Sequence, residues 1–219
     1  MSGNNSDSVG MNRLKVGLKE LGLEAEGAKA EALTRYIKEI ELWNPRYGMI
    51  APGEDLIGRH VLDSLSAISP IRRLNPGRLA DVGSGAGLPG IPLAIWLDDV
   101  DVVLIERSGR RAGFLRTVAA TLGLKNVSVF ETAVEDLDAG PLFDIITFRA
   151  WSVIDENLLD ALFPLLASGG TIAAYKGRKS VVDRELSAVS DKVTVSAILP
   201  LKVPGLDDER HLVMMRPVS

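Results

Sequence analysis

The chain predicts an α/β fold in which a parallel sheet is covered by helices on both faces, preceded by a helical segment. Three observations carry this. From Arg78 onward short apolar runs alternate with amphipathic stretches, the pattern of buried parallel strands and covering helices. Residues 11–75 show helical periodicity without strand-like alternation. Between the first apolar run and the helix after it lies "DVGSGAGLPG", a glycine-dense turn spanning residues 81–90.

Taken in order, the polar start "MSGNNSDSVG" reads as a ragged, mobile end over residues 1–10 and has no apolar core for a secretion signal. "LKVGLKELGL" is a short amphipathic helix. "AEALTRYIKEIELWN" repeats its apolar residues Leu33, Ile37, Ile40 and Trp43 every three to four positions, as one helix face does. "NPRYGMIAPGE" reads as a loop, and "EDLIGRHVLDSLSAI" as a further helix with Leu56, Val61, Leu65 and Ile68 inward. Residues 11–75 thus form a helical extension and residues 76–219 the α/β domain. There the strands are "RLADV", "DVVLIE", "NVSVF", "FDIITF" and "GTIAAYK", with "KVTVSAILPL" and "RHLVMMR" closing. The helices between them are "IPLAIWL", "GRRAGFLRTVAATLG", "DENLLDALFPLL" and "DRELSAV".

Composition narrows the chemistry. With 219 residues, 46% of them hydrophobic, the chain suits one domain with an appendage. It has no cysteine. That removes disulfides, thiolate metal sites and a cysteine nucleophile, and agrees with a cytoplasmic location. No residue cluster suggests a metal site, and no apolar run approaches the roughly 20 residues of a membrane span. The net charge of −4 argues weakly against nucleic acid. Its distribution matters more. Arginines and lysines gather at Arg107, Arg110, Arg111 and Arg116, at Lys176, Arg178, Lys179 and Arg184, and at Arg72, Arg73 and Arg78. Each run is an ordinary solvated face taken alone. Together, if they share the carboxyl side of one sheet, they suit a phosphate backbone.

The glycine turn follows a strand and opens a helix, the place where doubly wound sheets bind ligands. Pro89 suits the first turn of that helix. Gly85, Gly87 and Gly90 fit the dinucleotide pattern, whereas Gly83, Gly85 and Gly87, led by Asp81, give a denser one. No Lys-Ser or Lys-Thr closes a phosphate loop. Glu106 ends the next strand, where a carboxylate can hold ribose hydroxyls. Ala133, Val134 and Glu135 follow the third strand, at an edge where an adenine ring could lie. Arg149 ends the fourth strand, where a functional side chain is expected, with an ion pair to Glu135 or Asp144 as the structural alternative. Lys176 ends the fifth. Arg59 and His60 stand three or four residues before Asp63, so one of them shares its helix face. They either rim the cleft or dock the two segments. Trp151 is the best candidate for base stacking.

"DVGSGAGLPGIPLAI", the upstream "RHVLDSL", "FDIITFRAW" and "YKG", in this order, resemble the RsmG/GidB family over roughly residues 42–217. The resemblance implies a Rossmann-like class I methyltransferase: a seven-strand sheet, mostly parallel with an antiparallel last strand, carrying a helical N-terminal extension. It implies transfer of a methyl group from S-adenosylmethionine to N7 of a guanosine in 16S ribosomal RNA of the small subunit. No exposed coiled-coil pattern argues for assembly, so a monomer is expected, with no membrane partner. Under it, Asp81, Gly83, Ser84, Gly85, Gly87, Leu88, Glu106, Ala133, Val134, Glu135 and Arg149 line the cofactor site. Arg149 also serves catalysis, and Arg59, His60, Arg107, Arg110, Arg111, Lys176 and Arg178 meet RNA. The chain departs from the family pattern after Asn44, at Thr132–Val134, and by carrying Glu106 where Asp is common. A methyltransferase acting on a small molecule or protein, a nicotinamide-dependent oxidoreductase and a non-catalytic RNA-binding protein are the alternative readings.

Overall fold

The computed structural model describes residues 3–137, 142–149 and 153–218, with side chains from residue 9. Trp151, the expected stacking residue, lies outside them. Two helices open the chain, α1 (Gly3–Glu20) and α2 (Ala28–Tyr47). The N-terminus is therefore helical from Gly3 rather than ragged, and α1 seats Leu14 and Leu18 in the core. Helix α2 runs on through Asn44 and Pro45, which were expected in a loop. Pro45 falls in the last turn, so only one bond is lost there. Gly48 then ends the helix in the left-handed conformation at φ 57°.

The next stretch is π-helical over Leu56–Leu62, continuing into α3 (Asp63–Leu65) and then α4 (Ile68–Arg73). Asp55 caps it by accepting from the Gly58 amide, and Arg13 of α1 clasps the same carboxylate. The wider winding is what periodicity analysis at 3.6 residues could not foresee; such winding is rare and concentrates at functional sites.

Seven strands follow: β1 (Arg78–Val82), β2 (Asp101–Ile105), β3 (Val127–Phe130), β4 (Phe143–Arg149), β5 (Leu166–Lys176), β6 (Val193–Pro200) and β7 (His211–Pro217). Their order is β3-β2-β1-β4-β5-β7-β6. All neighbours pair in parallel except those of β7, which runs antiparallel to both β5 and β6. The helices among them are α5 (Gly90–Trp96), α6 (Gly109–Leu122), α7 (Glu156–Leu162) and α8 (Lys179–Ala188). Side chains alternate across each strand. Leu79, Val102, Leu104 and Ile145 face α1, α2, α5 and α6, whereas Ala80, Val103, Ile146 and Phe148 face α7 and α8. Connections therefore reverse at the β1/β4 boundary, and the carboxyl ends there form the crevice where such sheets take ligands.

Strand polarity corrects one expectation. Arg78 opens β1, and Arg72 pairs with Asp99 in the α5–β2 connection, so this arginine group sits at the amino edge of the sheet, away from the crevice. Pro89 stands just before α5 rather than inside its first turn.

Candidate functional site

The β1–α5 turn is wound by its own backbone. The Gly83 amide donates to Ile105 O at 2.9 Å, and the amides of Gly87 and Leu88 both donate to Ser84 O. Gly83, Gly85 and Gly87 all take positive φ, which only glycine adopts at little cost. The three do different work. Gly83 is exposed and Gly85 half-buried. A Cβ on Gly85 would meet only the Gly83 carbonyl oxygen, at 3.8 Å, so its outer face is open to a ligand. A Cβ on Gly87 would strike Ile91 at 2.6 Å, Leu115 at 3.0 Å and the Tyr36 hydroxyl at 3.3 Å. Gly87 is small so that α2, α5 and α6 can close under the turn.

Three further residues expected at the cofactor point inward. Ser84 donates its hydroxyl to Asp81 O at 2.8 Å, and Leu88 is core. Asp81 is fully buried; one carboxylate oxygen accepts from the Gly90 amide at 3.0 Å and the other has no hydrogen-bond partner among the described residues. Burial pushes its pKa up to about 7, only partly countered by the Gly90 amide. These residues shape the turn from beneath because the turn's concave side is filled by protein.

Glu106 keeps its expected place. Its carboxylate accepts from the Gly85 amide at 2.9 Å and the Ser108 amide at 2.8 Å, one on each oxygen. Each oxygen retains a second lone-pair site. Glu106 lines a cavity of about 270 Å³ with Val82, Gly83, Arg107, Ala133, Val134 and Glu135. That is close to the lower end of ordinary ligand clefts, about 300–1,000 Å³. An open glycine face, a carboxylate with free lone pairs and an apolar slot at Val82 and Val134 fit an adenosine. The carboxylate suits ribose hydroxyls and the slot suits a purine ring.

A second cavity of about 500 Å³ opens at the carboxyl ends of β4 and β5, lined by Asp63, Arg149, Tyr175, Lys176, Arg178 and Arg210, among others. Arg149 donates to Asp63 Oδ2 at 3.1 Å, to Arg59 O at 3.0 Å, and to His60 Nδ1 at 3.0 Å. Neither Glu135 nor Asp144 is its partner; Asp144 instead caps β1 by accepting from the amides of Gly77 and Arg78. Because a guanidinium only donates, His60 Nδ1 accepts, and Nε2 carries the proton facing Glu54 at 2.9 Å. Burial and the nearby Arg149 charge lower the His60 pKa. Burial raises that of Asp63, against the pull of Arg149 and Arg210, whose Nε lies 3.4 Å away.

The residues expected to meet RNA divide accordingly. Arg107, Arg110, Arg111 and Arg178 are exposed at the carboxyl side. Arg59 is half-exposed and pairs with Asp208, a surface pair worth about 0–1 kcal/mol and easily exchanged for a phosphate. His60 faces inward and holds Arg149. Lys176 forms a nearly buried ion pair with Glu185 at 2.6 Å, so it is not an open phosphate contact; breaking such a pair strands a buried charge. Tyr36 and Arg210 carried no motif in the sequence, and Tyr175 stood in "YKG" with no role of its own assigned. Tyr36 donates to Ala86 O at 2.7 Å and Tyr175 to Ser64 O at 2.8 Å, tying the helical extension to the strand ends. Each is a tyrosine within an otherwise apolar helix face or strand.

Solved structures share this architecture at low sequence identity. A putative O-methyltransferase from Klebsiella pneumoniae superposes with TM-score 0.58 at 16% identity over 86% of this chain and 90% of that one. The tRNA (m1A58) methyltransferase TrmI of Aquifex aeolicus gives 0.54 at 17% identity over 72% and 69%. Similarity in sequence is much closer to proteins named ribosomal RNA small subunit methyltransferase G. That of Chromobacterium violaceum is 40% identical over 92% of this chain and 95% of its own length. That of Nitrosococcus oceani is 38% identical over 96% and 97%. The family model described as "GidB: rRNA small subunit methyltransferase G" matches residues 29–213. With that match, and with a glycine turn, Glu106 and Arg149 grouped at the strand ends, the chain belongs to the GidB family of small-subunit ribosomal RNA methyltransferases.

Proposed function

We propose that this protein transfers the methyl group of S-adenosylmethionine to N7 of a guanosine in 16S ribosomal RNA. Family membership supports the reaction class and the RNA. The observation that carries the donor is the Glu106 carboxylate beneath the open faces of Gly83 and Gly85, at the 270 Å³ cavity. Glu106 would accept from the ribose hydroxyls, the amides near Ala133 and Val134 would meet the adenine, and Gly83 and Gly85 would let the donor lie against the backbone. When bound, S-adenosylmethionine supplies an electrophilic methyl group on a sulfonium.

Guanine N7 presents a lone pair and carries no proton. No general base is then required, and orientation and electrostatics carry the rate. Arg149 suits that task because Asp63, His60 and the Arg59 carbonyl hold its guanidinium in one orientation. Four cations against two carboxylates surround the adjoining cavity, Arg149, Lys176, Arg178 and Arg210 against Asp63 and Glu185. That balance favours a nucleotide's phosphates. On this reading the helical extension and the α/β domain act together as a monomer in the cytoplasm. No helix among the described residues is long and apolar enough to cross a membrane.

The test is methyl transfer from radiolabelled S-adenosylmethionine to small subunits lacking N7 methylation, mapped by borohydride–aniline cleavage. One labelled cleavage site is expected. Donor binding without label on the RNA would leave a methyltransferase of another substrate.

A further inference from the structure

The end of α2 carries two aromatic rings. Trp43 and Tyr47 stack with centroids 5.3 Å apart and planes 5° from parallel. Trp43 also meets Phe114 of α6 edge-on at 6.2 Å and donates its indole N–H to Glu39 at 3.1 Å. It is anchored on one side. Tyr47 is different. It is half-buried, Trp43 is its only ring partner among the described residues, and its hydroxyl makes no hydrogen bond with them.

Helix polarity sets what lies around this stack. Lys29, at the start of α2, binds Trp96 O and Asp98 at the amino edge of the sheet. Tyr36, two turns later, reaches Ala86 in the turn at the carboxyl edge. Helix α2 therefore rises past the strand ends, and Tyr47 stands beyond them. Helix α6 begins at that same edge just after Glu106 and descends. Since Trp43 meets Phe114, the next turn of α2, with Tyr47, faces the first turn of α6, with Arg110 and Arg111. Arg46, Arg107, Arg110 and Arg111 are all exposed, and the described residues show no ion pair for any of them.

We propose that Tyr47, backed by Trp43, is a stacking platform for one unpaired base of the RNA substrate, flanked by phosphate contacts from Arg46, Arg110 and Arg111. An aromatic face braced by a second ring, partly exposed and ringed by unpaired guanidiniums, is how proteins hold single-stranded nucleic acid. The charge argues for RNA as the occupant, because an apolar protein partner would leave those guanidiniums buried and unpaired. Arg111, across from the platform, lines the donor cavity, whereas Arg149 lines the second cavity. The base it takes is therefore a neighbour of the target guanosine and not the target itself. The inference rests on the RNA reading above.

The experiment compares wild type, Tyr47→Ala and Tyr47→Phe for methylation of undermethylated small subunits, alongside donor affinity by calorimetry. Loss of one stacked base predicts about a tenfold rise in KM for Tyr47→Ala. Donor affinity should be unchanged, and Tyr47→Phe should behave as wild type. Ultraviolet crosslinking of the wild-type complex should place a nucleotide on Tyr47 or Trp43 by mass spectrometry. A wild-type KM for Tyr47→Ala overturns the platform, as does a crosslink map with nothing on α2. Parallel loss of donor binding would assign Tyr47 to packing and also overturn it. Failure of the wild type itself to methylate the subunit would instead overturn the RNA reading.

Discussion

Asp81 carries its charge in a place that resists charge. Burial raises its pKa from 3.8 to about 7, so the folded chain keeps a proton that the unfolded chain releases near pH 4. Its contribution to stability is full below that pH and is lost as pH rises to about 7, by at most about 4 kcal/mol. Asp81→Asn removes the titration. The gap in denaturation midpoint between this variant and wild type should move in the variant's favour from pH 4 to pH 7; parallel pH profiles would show that Asp81 does not titrate in this range. The Glu106 carboxylate is held at the cavity by two backbone amides, of Gly85 and Ser108. On the proposed donor site, Glu106→Ala removes charge-assisted bonds to the ribose worth about 1.5–3 kcal/mol each, so donor affinity should fall at least tenfold by calorimetry. Arg149 ties binding chemistry to stability. Arg149→Ala leaves Asp63 buried beside Arg210 alone, a loss of about 3–5 kcal/mol by analogy with other broken buried pairs. Adding Asp63→Ala should recover part of that loss in a double-mutant cycle, whereas simple additivity would mean that the pair is not coupled.

At the scale of elements, the turn after β1 shows why a glycine pattern reads ambiguously. Gly85 is open to a ligand, whereas Gly87 is closed in by Ile91, Leu115 and Tyr36. Gly87→Ala meets both positive φ and steric overlap, so it should lower the thermal midpoint by several degrees, more than Gly85→Ala does. Equal effects would contradict the division of roles. The same elements show how much was legible. Strands β1, β2 and β4 stood out as apolar runs because they are covered on both faces. The π-helical stretch Leu56–Leu62 did not, since its apolar residues also satisfy a 3.6-residue period. Helix α2 overran its expected end because one proline in a last turn costs little, and the turn signal in "NPRYG" could not reveal that the helix closes at Gly48 instead.

For the whole molecule, net charge and function pull in opposite directions. On the proposed function, a chain of charge −4 would hold RNA through local arginines, and Arg107, Arg110, Arg111 and Arg178 stand exposed at the carboxyl side. The KM for small subunits should therefore rise by more than about tenfold between 50 and 200 mM salt, while donor affinity stays nearly flat. A flat KM would place recognition outside these residues. The molecule also depends on its helical extension, since Tyr36 and Tyr175 link extension and sheet through buried hydrogen bonds at the site itself. Residues of both segments pack into one hydrophobic cluster beside the crevice.

By itself the sequence determined the order and type of the strands, the glycine turn, and the carboxylate at the end of β2. All of these are local: apolar periodicity, backbone permissiveness and a fixed offset from a turn are written in neighbouring residues. Only the tertiary structure decided which way each polar group faces. It turned Asp81, Ser84 and Leu88 inward, paired Lys176 with Glu185, and sent the Arg72–Arg78 group to the far edge of the sheet. It also brought Asp63 and His60 to Arg149 across 86 and 89 positions of chain. Such contacts are set by how layers pack and where strands end, and no spacing along the chain encodes them.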